Sequence, residues 1–175
     1  MIPAIGPDGS LFPIEKLKAH QTATLHQAVS IFVFCGADLL VQRRALSKYH
    51  CGGTWANTCC THPHWGETLA ASAHRRLREE MGFDVDLTPA NVIDYAADVT
   101  NGLFEHERVQ TYWAHVRRDM IAITLNNAEV DDYDWVGVHN LKAEALEKPD
   151  IYAPWFRIYL DRWDELGLPI SSCSG

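Results

Sequence analysis

No run of apolar residues in this 175-residue chain approaches the roughly 18 needed to cross a bilayer, so a membrane-spanning protein is not expected. The opening segment, MIPAIGPDGSLFPIEKLKAH, lacks the charged-then-apolar order of an export signal and is broken by prolines and glycines. An even cysteine count is missing as well: Cys35, Cys51, Cys59, Cys60 and Cys173 do not make a disulfide framework. Together these absences predict a cytoplasmic setting, where clustered thiols bind metal or do chemistry. Basic charge is scarce, with 15 Lys and Arg against 23 Asp and Glu, and the net charge of -8 disfavours nucleic acid and anionic membranes as partners. No repeat, low-complexity tract or long linker divides the chain. One domain over residues 1–175 is therefore expected, with residues 1–14 as a peripheral N-terminal segment and 167–175 as a flexible tail.

The scarce basic residues are unevenly placed. Residues 1–80 carry 8 Lys and Arg against 6 Asp and Glu, whereas the remainder carries 7 against 17. Lys16, Lys18, Arg43, Arg44, Lys48, Arg75, Arg76 and Arg78 form short clusters able to hold a small anion, although solvated surface charge explains any one of them equally well. A hydrophobic content of 47% suffices for one substantial core. HQAVSIFVF, residues 26–34, is β-branched and aromatic and predicts a buried strand, with LLVQRR as its hairpin partner. Residues 45–64 hold too many Gly, Asn, Thr and Pro for regular structure. ERVQTYWAHV and DYDWVGV predict further strands; LKAEALEK and APWFRIYLDRWDEL predict closing helices, the second with Pro154 in its first turn. Strands and helices without strict alternation indicate an α+β domain with a mixed sheet.

Between them the spacing predicts a helix over residues 67–81. Leu69, Ala73, Leu77 and Met81 recur every four residues as one apolar stripe, and Gly82 follows as the stop. The segment resembles the signature helix of the Nudix superfamily: Glu67, Arg75, Leu77, Glu79, Glu80 and Gly82 all fall in register. Two positions depart from it. Thr61 replaces the initial glycine, and Arg76 replaces a glutamate that in the hydrolases helps hold catalytic metals. A guanidinium there, one turn from Glu80, suits phosphate better than metal.

Several further motifs converge. RRALSKY, then GGTWANTCCTHP, the altered helix, EHE, DYDWV and APWF together resemble the type I isopentenyl-diphosphate isomerases, from about residue 15 to 163. The resemblance implies a Nudix-like α/β/α sandwich that interconverts isopentenyl and dimethylallyl diphosphate. Moving an unactivated double bond needs an acid and a base on opposite sides of a dry pocket, stabilisation of a carbocation-like intermediate, and an anchor for the diphosphate. By resemblance Cys60 and Glu107 face each other across the substrate. A thiol with a reference pKa near 8.5 can carry a proton at neutral pH. Cys59 has no matching role and is expected to pack. Glu105 and Glu107 point the same way on a strand, which is costly unless a cation or a proton intervenes.

The resemblance further implies a divalent metal, zinc, manganese or magnesium, bound by His20, His26, His62, Glu105 and Glu107. A magnesium ion would accompany the diphosphate, reaching Glu80 and the main-chain carbonyl of Cys60. Lys16, Arg44, Lys48 and Arg76 match the diphosphate grips. Tyr95 matches a partner of the catalytic glutamate and Trp155 an aromatic face for positive charge, though Trp155, Tyr159 and Trp163 also form a stripe that a core alone would explain. His50, His64, His74, His106, His115 and His139 receive no role. The expected partner is a small diphosphate, with the chain a monomer or weak homodimer. Two other readings stay open: a Nudix diphosphate hydrolase, and a zinc-stabilised or thiol-sensing module on Cys51, Cys59, Cys60 and His62.

Overall fold

The computed structural model describes residues 1–48 and 50–169. In chain order its elements are β1 (Ile2–Ile5), β2 (Leu11–Ile14), α1 (Lys16–Gln21), β3 (His26–Cys35), β4 (Asp38–Arg44), β5 (Trp55–Ala56), β6 (Cys59–Thr61) and α2 (Leu69–Met81). There follow β7 (Thr88–Val99), β8 (Leu103–His115), β9 (Val130–Gly137), α3 (Val138–Glu147) and α4 (Pro154–Asp161).

β3, the most apolar segment of the chain, is the axis of a mixed nine-stranded sheet. One edge pairs in parallel with β8 along its length, from His26 opposite Glu107 to Phe34 opposite His115. The other edge is shared antiparallel by β1 at His26, β6 at Val29–Ile31 and β4 at Phe34–Cys35. A strand buried on both faces reads as a continuous hydrophobic run, as β3 does. Its alternate residues divide the core. Val29, Ile31, Val33, Leu40 and Cys59 meet the stripe Ala73, Leu77 and Met81 of α2 on one face. Ala28, Phe32, Phe34 and Val41 meet Leu141 of α3 and Trp155, Phe156, Tyr159 and Leu160 of α4 on the other. The result is the expected α/β/α layering.

α2 begins two residues later than its spacing suggested, because Thr68 takes the N-cap and its hydroxyl accepts from the Ala71 amide. Glu67, just before the cap, accepts a bidentate pair from Arg75 at 2.7 and 2.8 Å, which ties the incoming loop to the helix. That brace gives the Glu67-to-Arg75 spacing a structural meaning, and Arg75 holds the Glu67 carboxyl down to about 2.

Several elements differ from the sequence expectation. Residues 45–64 contain the short strands β5 and β6, held by pairing with β4 and β3 rather than by their own propensity. β7 was not foreseen, although Ile93, Tyr95 and Val99 alternate as buried residues along it; proline and aspartates masked that period. The N-terminal segment is only partly peripheral. β2 is exposed, but β1 is buried because it covers the edge of β3 at His26. Of the expected tail, Leu168 is packed in the core, while residues 170–175, including Cys173, lie outside the described residues.

Gly82 ends α2 with φ of +76°, and a Cβ there would stand 2.5 Å from the Thr124 carbonyl oxygen. Gly82→Ala is therefore expected to destabilise the chain by about 2 kcal/mol or more, combining the left-handed penalty with the close contact. A shift in the denaturant midpoint at unchanged m-value measures it.

Candidate active site

Register places the reactive side chains on one face of the sheet. Cys60 pairs with Ser30, His26 with Glu107, and Glu107 in turn with Tyr95. Directly opposed residues share a face, as do residues two apart, so Tyr95, Glu105, Glu107, His26, Ser30 and Cys60 all point toward α4. Cys59, one position away, points into the α2 core instead, as its expected packing role requires. α1 adds His20 and Lys16 from the side. Six residues carry no periodic signal, and α1 was not foreseen.

These groups border a cavity of about 220 Å³ lined by Cys60, Glu105, Glu107, Tyr95, Trp155, His62, Lys16, Arg44, Lys48, Arg76 and Glu80. Every expected site residue lies on its wall except His20 and His26, which stand behind it. Lys16, Arg44, Lys48 and Arg76 crowd one end. Desolvation beside the cavity, with repulsion from Lys48, Arg44 and Arg76, lowers Lys16 although the residue stays exposed to solvent.

Beneath the cavity the ligand atoms of His20, His26, His62 and Glu107 all lie within 4.8 Å of one another. His20 Nδ1 is 2.7 Å from the Lys16 carbonyl and His26 Nδ1 is 2.7 Å from that of Thr24. A carbonyl only accepts, so both rings carry their proton on Nδ1 and present a bare Nε2 inward. His26 Nε2 then lies 3.0 Å from His62 Nε2 and 3.6 Å from Glu107 Oε1, while His62 Nε2 is 2.8 Å from the same oxygen. His20 Nε2 is buried without a hydrogen-bond partner. Burial lowers His20 and brings His62 down to about 3. Converging lone pairs and one carboxylate fit a divalent metal ion.

Glu105, expected among the ligands, is not in that group. Two residues along β8 from Glu107, its carboxylate instead meets the Tyr95 hydroxyl at 2.9 Å and His50 Nε2 at 3.5 Å. Burial and the Glu107 charge raise Glu105 well above the carboxylate range. Burial acts on Glu107 in the same sense, but His62 and His26 outweigh it and hold that carboxyl well below. Tyr95 also lies 2.8 Å from Glu107, and one hydroxyl proton cannot serve both carboxylates. A protonated Glu105 donating to Tyr95, which donates to Glu107, satisfies both contacts.

At the cationic end Arg76 binds Glu79 at 2.8 Å, Glu129 at 2.8 Å and Glu80. Lys48 shares Glu129 at 2.6 Å, and Gln42 donates to Glu80 at 2.9 Å. The Arg44 guanidinium stands 5.1 Å from the Trp155 ring centre. Ser30, Asn57, His50 and Glu129 were not foreseen as neighbours of this site. Ser30 shows as one polar residue in an apolar strand, a signal the sequence offers; the position of His50 is set only by the fold.

The NUDIX domain family matches residues 24–157. The fold is similar to the crystal structures of DR0079 from Deinococcus radiodurans, with TM-score 0.73, 12% identity and coverage of 92% of this chain and 97% of that one. It is also similar to the MutT protein from Methanosarcina mazei, with TM-score 0.63, 17% identity and coverage of 80% and 93%. The class is thus a Nudix fold. Isopentenyl-diphosphate Delta-isomerases from Cereibacter sphaeroides, 48% identical over 91% of this chain and 90% of theirs, and Dinoroseobacter shibae, 49% identical over 90% of each, resemble it in sequence. The chain belongs to the isopentenyl-diphosphate Delta-isomerase family within the Nudix superfamily.

Elemental analysis of the purified chain is expected to find a bound divalent ion. His26→Ala is expected to weaken its retention by more than about tenfold, the lower end of what even outer-shell changes cost; undiminished metal in the variant would remove the cluster as the binding site.

Proposed function

We propose that this chain interconverts isopentenyl diphosphate and dimethylallyl diphosphate by protonation and deprotonation, with Cys60 and Glu107 on opposite faces of the substrate. The observation that carries this reading is one small cavity lined by both groups, Trp155 and four cationic side chains. A five-carbon chain with a diphosphate needs both the shielded end and the cationic end.

Lys16, Arg44, Lys48 and Arg76 would hold the diphosphate. Glu80 and the Cys60 carbonyl would meet the magnesium ion that accompanies it. Trp155 offers its ring to the developing positive charge, worth about 2 kcal/mol when desolvated. Burial pushes the Cys60 thiol up to about 12, so at rest the sulfur keeps its proton. Glu107, ionised and hydrogen-bonded by Tyr95, would take up the proton the substrate loses while Cys60 supplies the proton it gains. The roof made by α4 excludes water that would otherwise capture the intermediate. His20, His26, His62 and Glu107 would hold one divalent ion, for which three imidazoles favour a borderline metal such as zinc, with manganese or magnesium as alternatives. When bound, that ion fixes the carboxylate and tunes its acidity.

Nudix-type hydrolysis fits less well: Arg76 occupies the carboxylate position of the signature and is ion-paired with Glu79, Glu80 and Glu129. A zinc-stabilised module leaves the cationic cavity without purpose. Among the described residues no helix is long and apolar enough to cross a membrane. Cys35, Cys51, Cys59 and Cys60 are free thiols, which supports our placing the chain in the cytoplasm. A monomer or weak homodimer is our reading.

Incubation with isopentenyl diphosphate in heavy water is expected to yield deuterated dimethylallyl diphosphate by NMR. Cys60→Ser and Glu107→Gln are expected to stay folded and lose about 10³-fold in kcat, within the range of acid–base catalysis. Phosphate release without an allylic product would favour hydrolysis, and near-normal turnover in either variant would remove that residue from its role.

A further inference from the structure

A buried hydrogen-bond chain of Ser30, Asn57 and Tyr159, none of which lines the cavity, reaches the Cys60 sulfur. Ser30 Oγ lies 3.1 Å from Cys60 Sγ and 2.9 Å from the hydroxyl of Tyr159. Cys60 Sγ lies 3.0 Å from Asn57 Oδ1. Ser30, Asn57 and Tyr159 are all buried, Tyr159 in the roof helix α4 and Ser30 on the central strand β3.

The direction of every bond follows from the two ends. Asn57 Nδ2 donates to the carbonyls of Ile31 at 3.0 Å and Cys59 at 3.2 Å. Its amide therefore cannot flip, and the atom facing the sulfur is an oxygen, which only accepts. The thiol proton of Cys60 thus rests on Asn57. With that proton engaged, the contact between Ser30 and the sulfur is made by the serine hydroxyl as donor. Ser30 then has its lone pairs free, and Tyr159 donates to it. The chain runs one way: Tyr159 to Ser30 to Cys60 to Asn57.

We propose that Ser30 and Tyr159 are positioning residues for the isomerisation, supporting the Cys60 sulfur while its proton is on the substrate. The inference rests on the reading of Cys60 as the proton-carrying group. Its two partners serve its two states. Asn57 Oδ1 accepts from the thiol and faces a thiolate unfavourably, so it favours the protonated sulfur. Ser30 donates to the sulfur in both states, and most strongly when the sulfur is anionic, because charge-assisted hydrogen bonds are about twice as strong as neutral ones. Tyr159, donating to Ser30, polarises that hydroxyl further and keeps it aimed at the sulfur. At the sulfur the one proton exchanged is that between it and a substrate carbon, and the proton the substrate loses goes to Glu107; the hydroxyl protons of Ser30 and Tyr159 stay on their oxygens. A tyrosine hydroxyl buried merely for packing would need only an acceptor. Here that acceptor is a residue in contact with the reactive sulfur.

The test compares isopentenyl-diphosphate isomerisation by the metal-loaded chain and by Tyr159→Phe, Ser30→Ala, Ser30→Thr and Cys60→Ala, with melting temperature and metal content measured on each. Tyr159→Phe is expected to lower kcat about fivefold, the scale of one neutral hydrogen bond, and Ser30→Ala about thirtyfold, the scale of one made to a charge. In both, KM should stay within about twofold because neither side chain is proposed to touch the diphosphate. Ser30→Thr, which keeps the hydroxyl, should recover most of the loss. Wild-type kcat in Tyr159→Phe beside an inactive Cys60→Ala would overturn the relay and leave the Cys60 reading standing. So would a rise in KM without a fall in kcat, or a fall in melting temperature alone. Substantial turnover in Cys60→Ala would show instead that the underlying reading is wrong. If Ser30→Ala does not fold, Tyr159→Phe, which removes one oxygen and no volume from the core, decides the matter.

Discussion

Glu105 and Glu107 stand on the same side of one strand, both buried, and two buried carboxylates so close cannot both keep their charge unaided. The structure resolves this conflict in two ways at once. Burial and the Glu107 charge push the Glu105 carboxyl up toward its protonated form, and the Tyr95 hydroxyl lies between the two carboxyl groups. Three imidazoles, two with their protons turned away onto backbone carbonyls, converge on Glu107 with atoms suited to a cation. Much of the architecture serves this arrangement. The parallel pairing of β3 with β8 brings His26 beside Glu107, β6 brings His62, and α1 is a short turn of helix whose buried residues are Ala19 and His20.

The Nudix helix supplies the frame rather than the centre of the proposed chemistry. Its Glu67–Arg75 brace and its terminal glycine keep their structural purposes. At the position where the signature carries a metal-binding carboxylate, Arg76 instead organises Glu79, Glu80 and Glu129. Arginine in place of the signature carboxylate reverses the charge at that point of the helix face, which in our reading suits it to be one wall of the diphosphate site. The reactive groups then come from the sheet face opposite, under the aromatic roof of α4. Precision at the sulfur is reached in the same manner: Asn57 is locked by two carbonyls, and each bond beyond it inherits a direction.

What could be read from the residues in order followed from short-range physics. The apolar run of β3, the four-residue stripe of α2 and the glycine that stops it are local patterns, and the structure keeps all three. Alternation along EHE placed Glu105 and Glu107 on one side before any fold was known. The WANTCCTHP and EHE motifs carried the candidate residues as a set, and the cavity wall gathers nearly all of them. Where local pattern was weak, the reading failed. β5 and β6 exist only through pairing with other strands, α1 is too short to show a period, and the buried alternation of β7 is diluted by polar residues.

The sequence by itself determined which groups are available and which side of each strand carries them, because propensity, alternation and capping act over a few residues. Only the tertiary structure decided that Glu105 answers to Tyr95 and His50 rather than to the histidine cluster, that Glu129 links Lys48 to Arg76, and that Tyr159 reaches Cys60 through Ser30. Those choices join residues up to 129 positions apart, and strand register and helix docking set them. Hydrogen-bond direction and the dielectric around a charge depend on what lies across that distance, and no local pattern encodes it.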